Sequence, residues 1–143
     1  MQVKEAMSGR AEYIPVGCTL REAAGKMRKL DCGFLPIGDP GEDRLQGVIT
    51  DRDIVIRAVA EGMNPETATV EQCKSGKILY CFEDDDVETA AKSMQEQHVY
   101  RLIVLDNPQD KRLCGIVSLG DLMRHDQEQL VTRVAKSITA MAA

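Results

Sequence analysis

A chain of 143 residues has the length of one compact domain, or of two small units sharing a core. Hydrophobic residues make up 43% but aromatics only 3%, with no Trp, so the core must be built from Val, Ile, Leu, Ala and the seven Met. The formal net charge of −5 opposes binding to a polyanion, which argues against a nucleic-acid partner while allowing a local basic site for a small phosphate.

No run approaches the roughly 20 consecutive apolar residues of a membrane helix. Met1-Gln2-Val3-Lys4-Glu5-Ala6-Met7 lacks the basic and then apolar pattern of a secretory signal. The expectation is a soluble, cytoplasmic protein with no membrane partner. Five cysteines, Cys18, Cys32, Cys73, Cys81 and Cys114, form no C-x-x-C pair. They read as ordinary buried or half-buried thiols of a reducing compartment. A metal or redox cluster completed by His98 or His125 is the competing reading.

In chain order the sequence reads as one unit written twice. Val3-Lys4-Glu5-Ala6-Met7-Ser8-Gly9 lies on Val70-Glu71-Gln72-Cys73-Lys74-Ser75-Gly76, an offset of 67 residues. Short apolar patches follow, Tyr13–Val16 and Ile78–Phe82, each expected as a strand. At the same offset Leu20, Ala23, Ala24 and Met27 fall on Val87, Ala90, Ala91 and Met94, the i, i+3, i+4, i+7 stripe of an amphipathic helix. Leu35-Pro36-Ile37 matches Leu102-Ile103-Val104 as a buried strand, and a turn-rich loop follows each. The second loop is one residue longer, so the offset becomes 68 at Gly47 and Gly115.

Each half therefore reads strand, helix, strand, loop, strand, helix. The first closing helix is expected over Asp53–Ala60, stopped by Gly62 and Asn64-Pro65. The second starts near Asp121. Leu130, Val131, Val134, Ala135 and Ile138 then form one apolar face in the tail, suited to packing on its own domain or on a dimer partner. A half of this size buries little alone, so the halves are expected to share one core about a pseudo-two-fold axis. The expected boundaries are residues 1–66 and 67–126 for the repeats and 127–143 for the tail helix.

The most regular repeated stretch is Gly47-Val48-Ile49-Thr50-Asp51-Arg52-Asp53 and Gly115-Ile116-Val117-Ser118-Leu119-Gly120-Asp121. Thr50-x-x-Asp53 and Ser118-x-x-Asp121 have the spacing of a capping box at a helix start. Capping alone explains a hydroxyl and an acid but not the glycine three residues earlier. The alternative is a site for a ribose phosphate, with free N–H groups at a helix start meeting an anion and a carboxylate accepting from sugar hydroxyls.

The doubled unit with G-h-x-[S/T]-x-x-D at the end of each copy resembles a tandem pair of cystathionine β-synthase (CBS) domains, the Bateman module, over about residues 3 to 126. Among such pairs it is similar to small free-standing bacterial ones, of which the mycobacterial hypoxic response proteins are an example. The resemblance implies an α/β (α+β) fold of two βαββα repeats. It also implies clefts for an adenosine-containing ligand: AMP first, then ADP, ATP, NAD or S-adenosylmethionine. In such pairs each cleft mixes the halves. Thr50 and Asp53 would then face Ile78, Leu79, Val99, Tyr100 and Arg101, and Ser118 and Asp121 would face Ala11, Glu12, Cys32 and Gly33.

Arg101 stands where related modules place a phosphate-binding arginine, and its counterpart is Phe34, which favours the Asp53 cleft for phosphates. Glu12 is an unfavourable neighbour for a polyphosphate. Family members commonly dimerise, so a homodimer is expected, with an unknown effector protein downstream.

An enzyme finds no support: no nucleophile with a base at hand, no P-loop, no G-x-G-x-x-G and no H-E-x-x-H. The acid run Glu83-Asp84-Asp85-Asp86 reads as favouring the start of the Val87 helix rather than as a metal site. The reading is a non-catalytic sensor with no metal or catalytic cofactor. Its alternatives are a metal- or thiol-dependent stress protein and a dimerisation scaffold with empty clefts.

Overall fold

The apolar stripes and runs of the sequence fold into an α+β architecture. In chain order the computed structural model has α1 (Val3–Ala6), α2 (Leu20–Leu30), β1 (Phe34–Asp39), β2 (Arg44–Thr50) and α3 (Asp51–Asp53). A π-helical segment (Ile54–Val59) and α4 (Val70–Cys73) follow, then β3 (Tyr80–Phe82), α5 (Val87–Gln97), β4 (Arg101–Leu105), β5 (Leu113–Ser118), α6 (Leu119–Arg124) and α7 (Glu128–Met141). The structure describes residues 1–8, 12–39, 41, 44–75 and 77–141.

The chain packs as two units, Glu12–Ile78 and Met1–Ala11 with Leu79–Ala143. Each unit therefore takes the opening segment of the other repeat. Each unit has its own cluster of buried side chains.

In the Glu12–Ile78 unit, α2 starts on Thr19, whose Oγ1 accepts from Glu22 N at 3.2 Å. It buries Leu20, Ala23 and Met27 against Leu35, Ile37 and Ile49 of an antiparallel hairpin in which Phe34 opposes Thr50 and Ile37 opposes Gly47. The strand expected over Tyr13–Val16 is reduced to one parallel bridge, Ile14 to Ile37. In the other unit the corresponding ladder includes Ile103 N donating to Leu79 O at 3.1 Å, and the residue in the place of Ile103 here is Pro36, which has no N–H. The helix α4 belongs to the second repeat in sequence but adds Val70 and Cys73 to this core. It is tied by Val70 N to Cys18 O and by Ser75 N to Val48 O, both 2.9 Å.

The other unit repeats the plan with a fuller sheet, β3 parallel to β4 and β4 antiparallel to β5. Asp86 Oδ1 accepts from Glu88 N at 2.8 Å to start α5, and Val87, Ala90, Ala91 and Met94 are buried. The strand expected from Ile78 begins only at Tyr80. Here α1 supplies Val3 and Ala6, tied by Val3 N to Asp85 O at 2.8 Å and by Ser8 N to Ile116 O at 2.9 Å. These bonds are the repeat images of those around α4. The acid run is accounted for locally: Asp85 Oδ2 accepts from Phe82 N at 2.9 Å, and Lys4 Nζ meets Asp84 Oδ1 at 2.6 Å.

The tail helix α7 has no image in the first repeat. It buries Leu130, Val131, Val134 and Ile138 in the same cluster as α5, with Arg133 Nη2 2.5 Å from Glu88 Oε1. That cover explains a break in the symmetry: Ala91 is buried, whereas its image Ala24 is exposed. The helix α7 is thus an integral layer of its unit. Ile138→Ala is expected to cost about 2–5 kcal/mol of stability, and Ala24→Lys less than about 0.5 kcal/mol, read from urea midpoints.

Candidate functional site

Asp53 and Asp121 are the buried charged residues among those described, 8% and 7% exposed. Both are held by the strand-to-helix junction that the sequence repeats. Thr50 Oγ1 accepts from Asp53 N at 3.0 Å while Asp53 Oδ2 accepts from Thr50 N at 2.9 Å. Ser118 Oγ accepts from Asp121 N at 3.2 Å, and Asp121 Oδ2 accepts from Ser118 N at 2.8 Å. These are complete capping boxes, so that reading of the motif is correct as far as it goes.

The glycine that capping left unexplained has a separate cause. A Cβ on Gly115 would run into the carbonyl oxygen of Ser8, and one on Gly47 would lie 3.0 Å from Lys74 Cδ. Each glycine is where the segment from the other repeat crosses the strand. That crossing also delivers a hydroxyl the sequence reading missed: Ser75 Oγ donates to Asp53 Oδ2 at 2.9 Å. The shared Ser-Gly at Ser8-Gly9 and Ser75-Gly76 was the available signal.

The carboxylates differ in their other oxygen. Arg57 Nε stands 3.6 Å from Asp53 Oδ1, an ion pair looser than a hydrogen bond. Arg124 Nη2 meets Asp121 Oδ1 at 2.5 Å. Neither arginine was singled out from the sequence, although their spacing of four and three residues from the aspartates is the spacing at which helical side chains meet.

The remaining predicted residues are divided between the two units, each beside the junction of its own repeat where a bond is described. Gly33 O accepts from Asp51 N at 3.0 Å, which sets Cys32 and Gly33 beside the Thr50 junction. Its image, Tyr100 O accepting from Leu119 N at 2.9 Å, sets Tyr100 beside the Ser118 junction. Arg101 opens β4 directly opposite Ser118. Leu79 and Val99 are half-buried against the core of that unit, and Ile78 is half-buried at the end of the other. Glu12 pairs with Lys26 at 3.0 Å, and that ammonium holds its carboxyl below the usual range. Its charge is therefore offset within its own unit. Ala11 lies outside the described residues.

A family model for the CBS domain matches residues 3–59 and 70–128. This chain belongs to the CBS domain family. The two CBS repeats it carries are similar to Hypoxic response protein 1 of Mycobacterium tuberculosis, 39% identical over 126 residues covering 87% of this chain and 85% of that protein. Among solved structures, Hypoxic Response Protein I with two coordinated zinc ions aligns with a TM-score of 0.75 at 35% identity, over 87% of this chain and 98% of that one. The CBS domain pair of protein MJ0100, in complex with 5′-methylthioadenosine and S-adenosyl-L-methionine, aligns with a TM-score of 0.76 at 26% identity, over 90% and 98%.

Burial disfavours the thiolate at four of the five cysteines of this CBS pair. Burial pushes Cys81 up to about 12 and both Cys18 and Cys114 up to about 11, and raises Cys73. Thiolate is the reactive form, and burial holds these four groups toward the thiol. Among the described residues no three His, Cys, Asp or Glu side chains gather as metal ligands, and no helix is long and apolar enough to cross a membrane.

Proposed function

We propose that this chain is a non-catalytic regulatory module that binds an adenosine-containing ligand, AMP first among the candidates, at the Thr50/Asp53 junction. The observation that carries the reading is the state of Asp53. It is a buried carboxylate whose Oδ2 is fixed by Thr50 N and Ser75 Oγ and whose Oδ1 carries, in the contacts described, the loose pair with Arg57. Two sugar hydroxyls can donate to such an oxygen, and Arg52 and Arg57, before and after Asp53 in the chain, are the cations nearest in sequence to meet a phosphate. The ligands of the MJ0100 pair are both adenosine derivatives, which supports the class.

A thermal-shift panel of AMP, ADP, ATP, NAD and S-adenosylmethionine tests the class as a whole. A ligand at one hundred times its Kd adds about 2.7 kcal/mol, several degrees for a chain of this length. No shift with any of the five would leave the scaffold reading in its place. The zinc ions of Hypoxic Response Protein I keep metal as a second reading, and metal analysis of the purified chain decides it.

A homodimer is part of the proposal. Val55, Ile56 and Val59 are 54%, 51% and 64% exposed on one stretch of the π-helical segment, an apolar surface suited to a second copy of the chain. Val59→Glu is expected to halve the mass measured by light scattering at micromolar concentration. An unchanged mass would place the dimer contact elsewhere.

A further inference from the structure

The two repeats place their arginines differently around the aspartate. In the second, the position of Arg52 is taken by Gly120 and the position of Ile56 by Arg124. A Cβ at Gly120 would lie 3.4 Å from Arg124 Nη1 and 3.6 Å from Ser118 Oγ, so the bare glycine is what the guanidinium folds back over. From there Arg124 Nη2 reaches Asp121 Oδ1 at 2.5 Å, while Oδ2 accepts from both Ser118 N at 2.8 Å and Ser118 Oγ at 2.7 Å. Both oxygens of Asp121 are thus engaged by this chain's own donors. The arginine side chain is 69% exposed, so it is free to turn away, whereas the Asp121 side chain, at 9%, is not.

We propose that Arg124 is a specificity-determining residue of the Ser118/Asp121 site. It covers Asp121 until a ligand phosphate takes its guanidinium, so this site accepts a nucleoside phosphate and rejects the uncharged nucleoside. The inference rests on the reading that the chain binds adenosine-containing ligands. A neutral nucleoside needs Asp121 Oδ1 for its hydroxyls and gives the displaced arginine nothing in return. A phosphate gives it a planar, bidentate anionic partner, stronger than the exposed pair it leaves. The Thr50/Asp53 site makes no such demand, since the image of Arg124 there is Ile56.

The test is calorimetric titration of AMP and of adenosine into the full chain carrying Asp53→Ala, with and without Arg124→Ile. Arg124→Gln is the second variant should isoleucine disturb folding. With Arg124 present, AMP is expected to bind about tenfold or more tighter than adenosine; without it the preference falls to about threefold or less, adenosine gaining as AMP loses. A preference unchanged by either substitution overturns the proposal. So does a chain carrying Asp53→Ala that takes up no AMP although the wild type does. If the wild type binds neither compound, the broader reading of function fails first and takes this proposal with it.

Discussion

Asp53→Ala is expected to weaken AMP binding by about a hundredfold or more, because two hydrogen bonds to an ionised group are lost and each contributes about 1.5–3 kcal/mol. The chain stays folded but pays for the change locally. Thr50 N and Ser75 Oγ lose their acceptor, and the first turn after Thr50 loses half of its capping box. Together these cost about 1–3 kcal/mol of stability. Asp53→Asn separates the two effects, since the amide oxygen can still accept from Thr50 N while the charge is gone. Ser75→Ala should act more weakly on binding, about fivefold, because Ser75 touches only the oxygen that orients the carboxylate. Calorimetric titration beside urea melts reads both quantities. Unchanged affinity in Asp53→Ala would remove Asp53 from the ligand site.

Gly115→Val is expected to destabilise the protein by about 3 kcal/mol or more. Its Cβ would occupy the space of the Ser8 carbonyl oxygen and come within 3.2 Å of Met7 Sδ. Ser8 and Ile116 exchange two backbone hydrogen bonds, at 2.9 and 3.2 Å, so the overlap cannot be relieved by a rotamer change. The opening segment must lift, and it takes with it Val3 and Ala6, which are 0% and 3% exposed. Gly47→Val should cost only about 1 kcal/mol, because what it meets is the flexible stem of Lys74. The difference between the two variants in urea midpoint, together with cleavage at Lys4 by trypsin in Gly115→Val alone, checks the account. Equal effects would contradict it.

The repeat was legible because it lies in local chemistry. Thr19 and Asp86, the capping residues, and the stripes Leu20-Ala23-Met27 and Val87-Ala90-Met94 each announce a helix by spacing alone. The same holds for the capping boxes at Thr50 and Ser118. What the sequence could not show is which segment packs with which. Residues 1–8 and 70–75 look like the openings of their own repeats, yet each completes the core of the other repeat's unit. No periodicity encodes that choice. It rests on Val3 and Val70 finding a backbone partner at Asp85 and Cys18. The same long-range pairing brings Ser75 to Asp53, which is why that hydroxyl was missed. The strand at Tyr13–Val16 failed because the strand it would pair with carries Pro36, which has no N–H to donate. Arg124 escaped notice because the repeat directs attention to what the halves share, and this residue is where they differ.

That difference makes the two junctions unequal in a way the flanking residues alone did not reveal. Glu12, expected to weaken one of them, is already paired with Lys26. The stronger asymmetry sits on the aspartates themselves: in the contacts described, Asp53 Oδ1 has a pair at 3.6 Å, whereas Asp121 Oδ1 has one at 2.5 Å.

Calorimetric titration of AMP into the wild-type chain tests the central claim most directly, with Asp53→Ala measured alongside. The account predicts saturable binding to the wild type, with the tighter component lost in Asp53→Ala. Absence of any binding heat with AMP, repeated with ATP, NAD and S-adenosylmethionine, would contradict it.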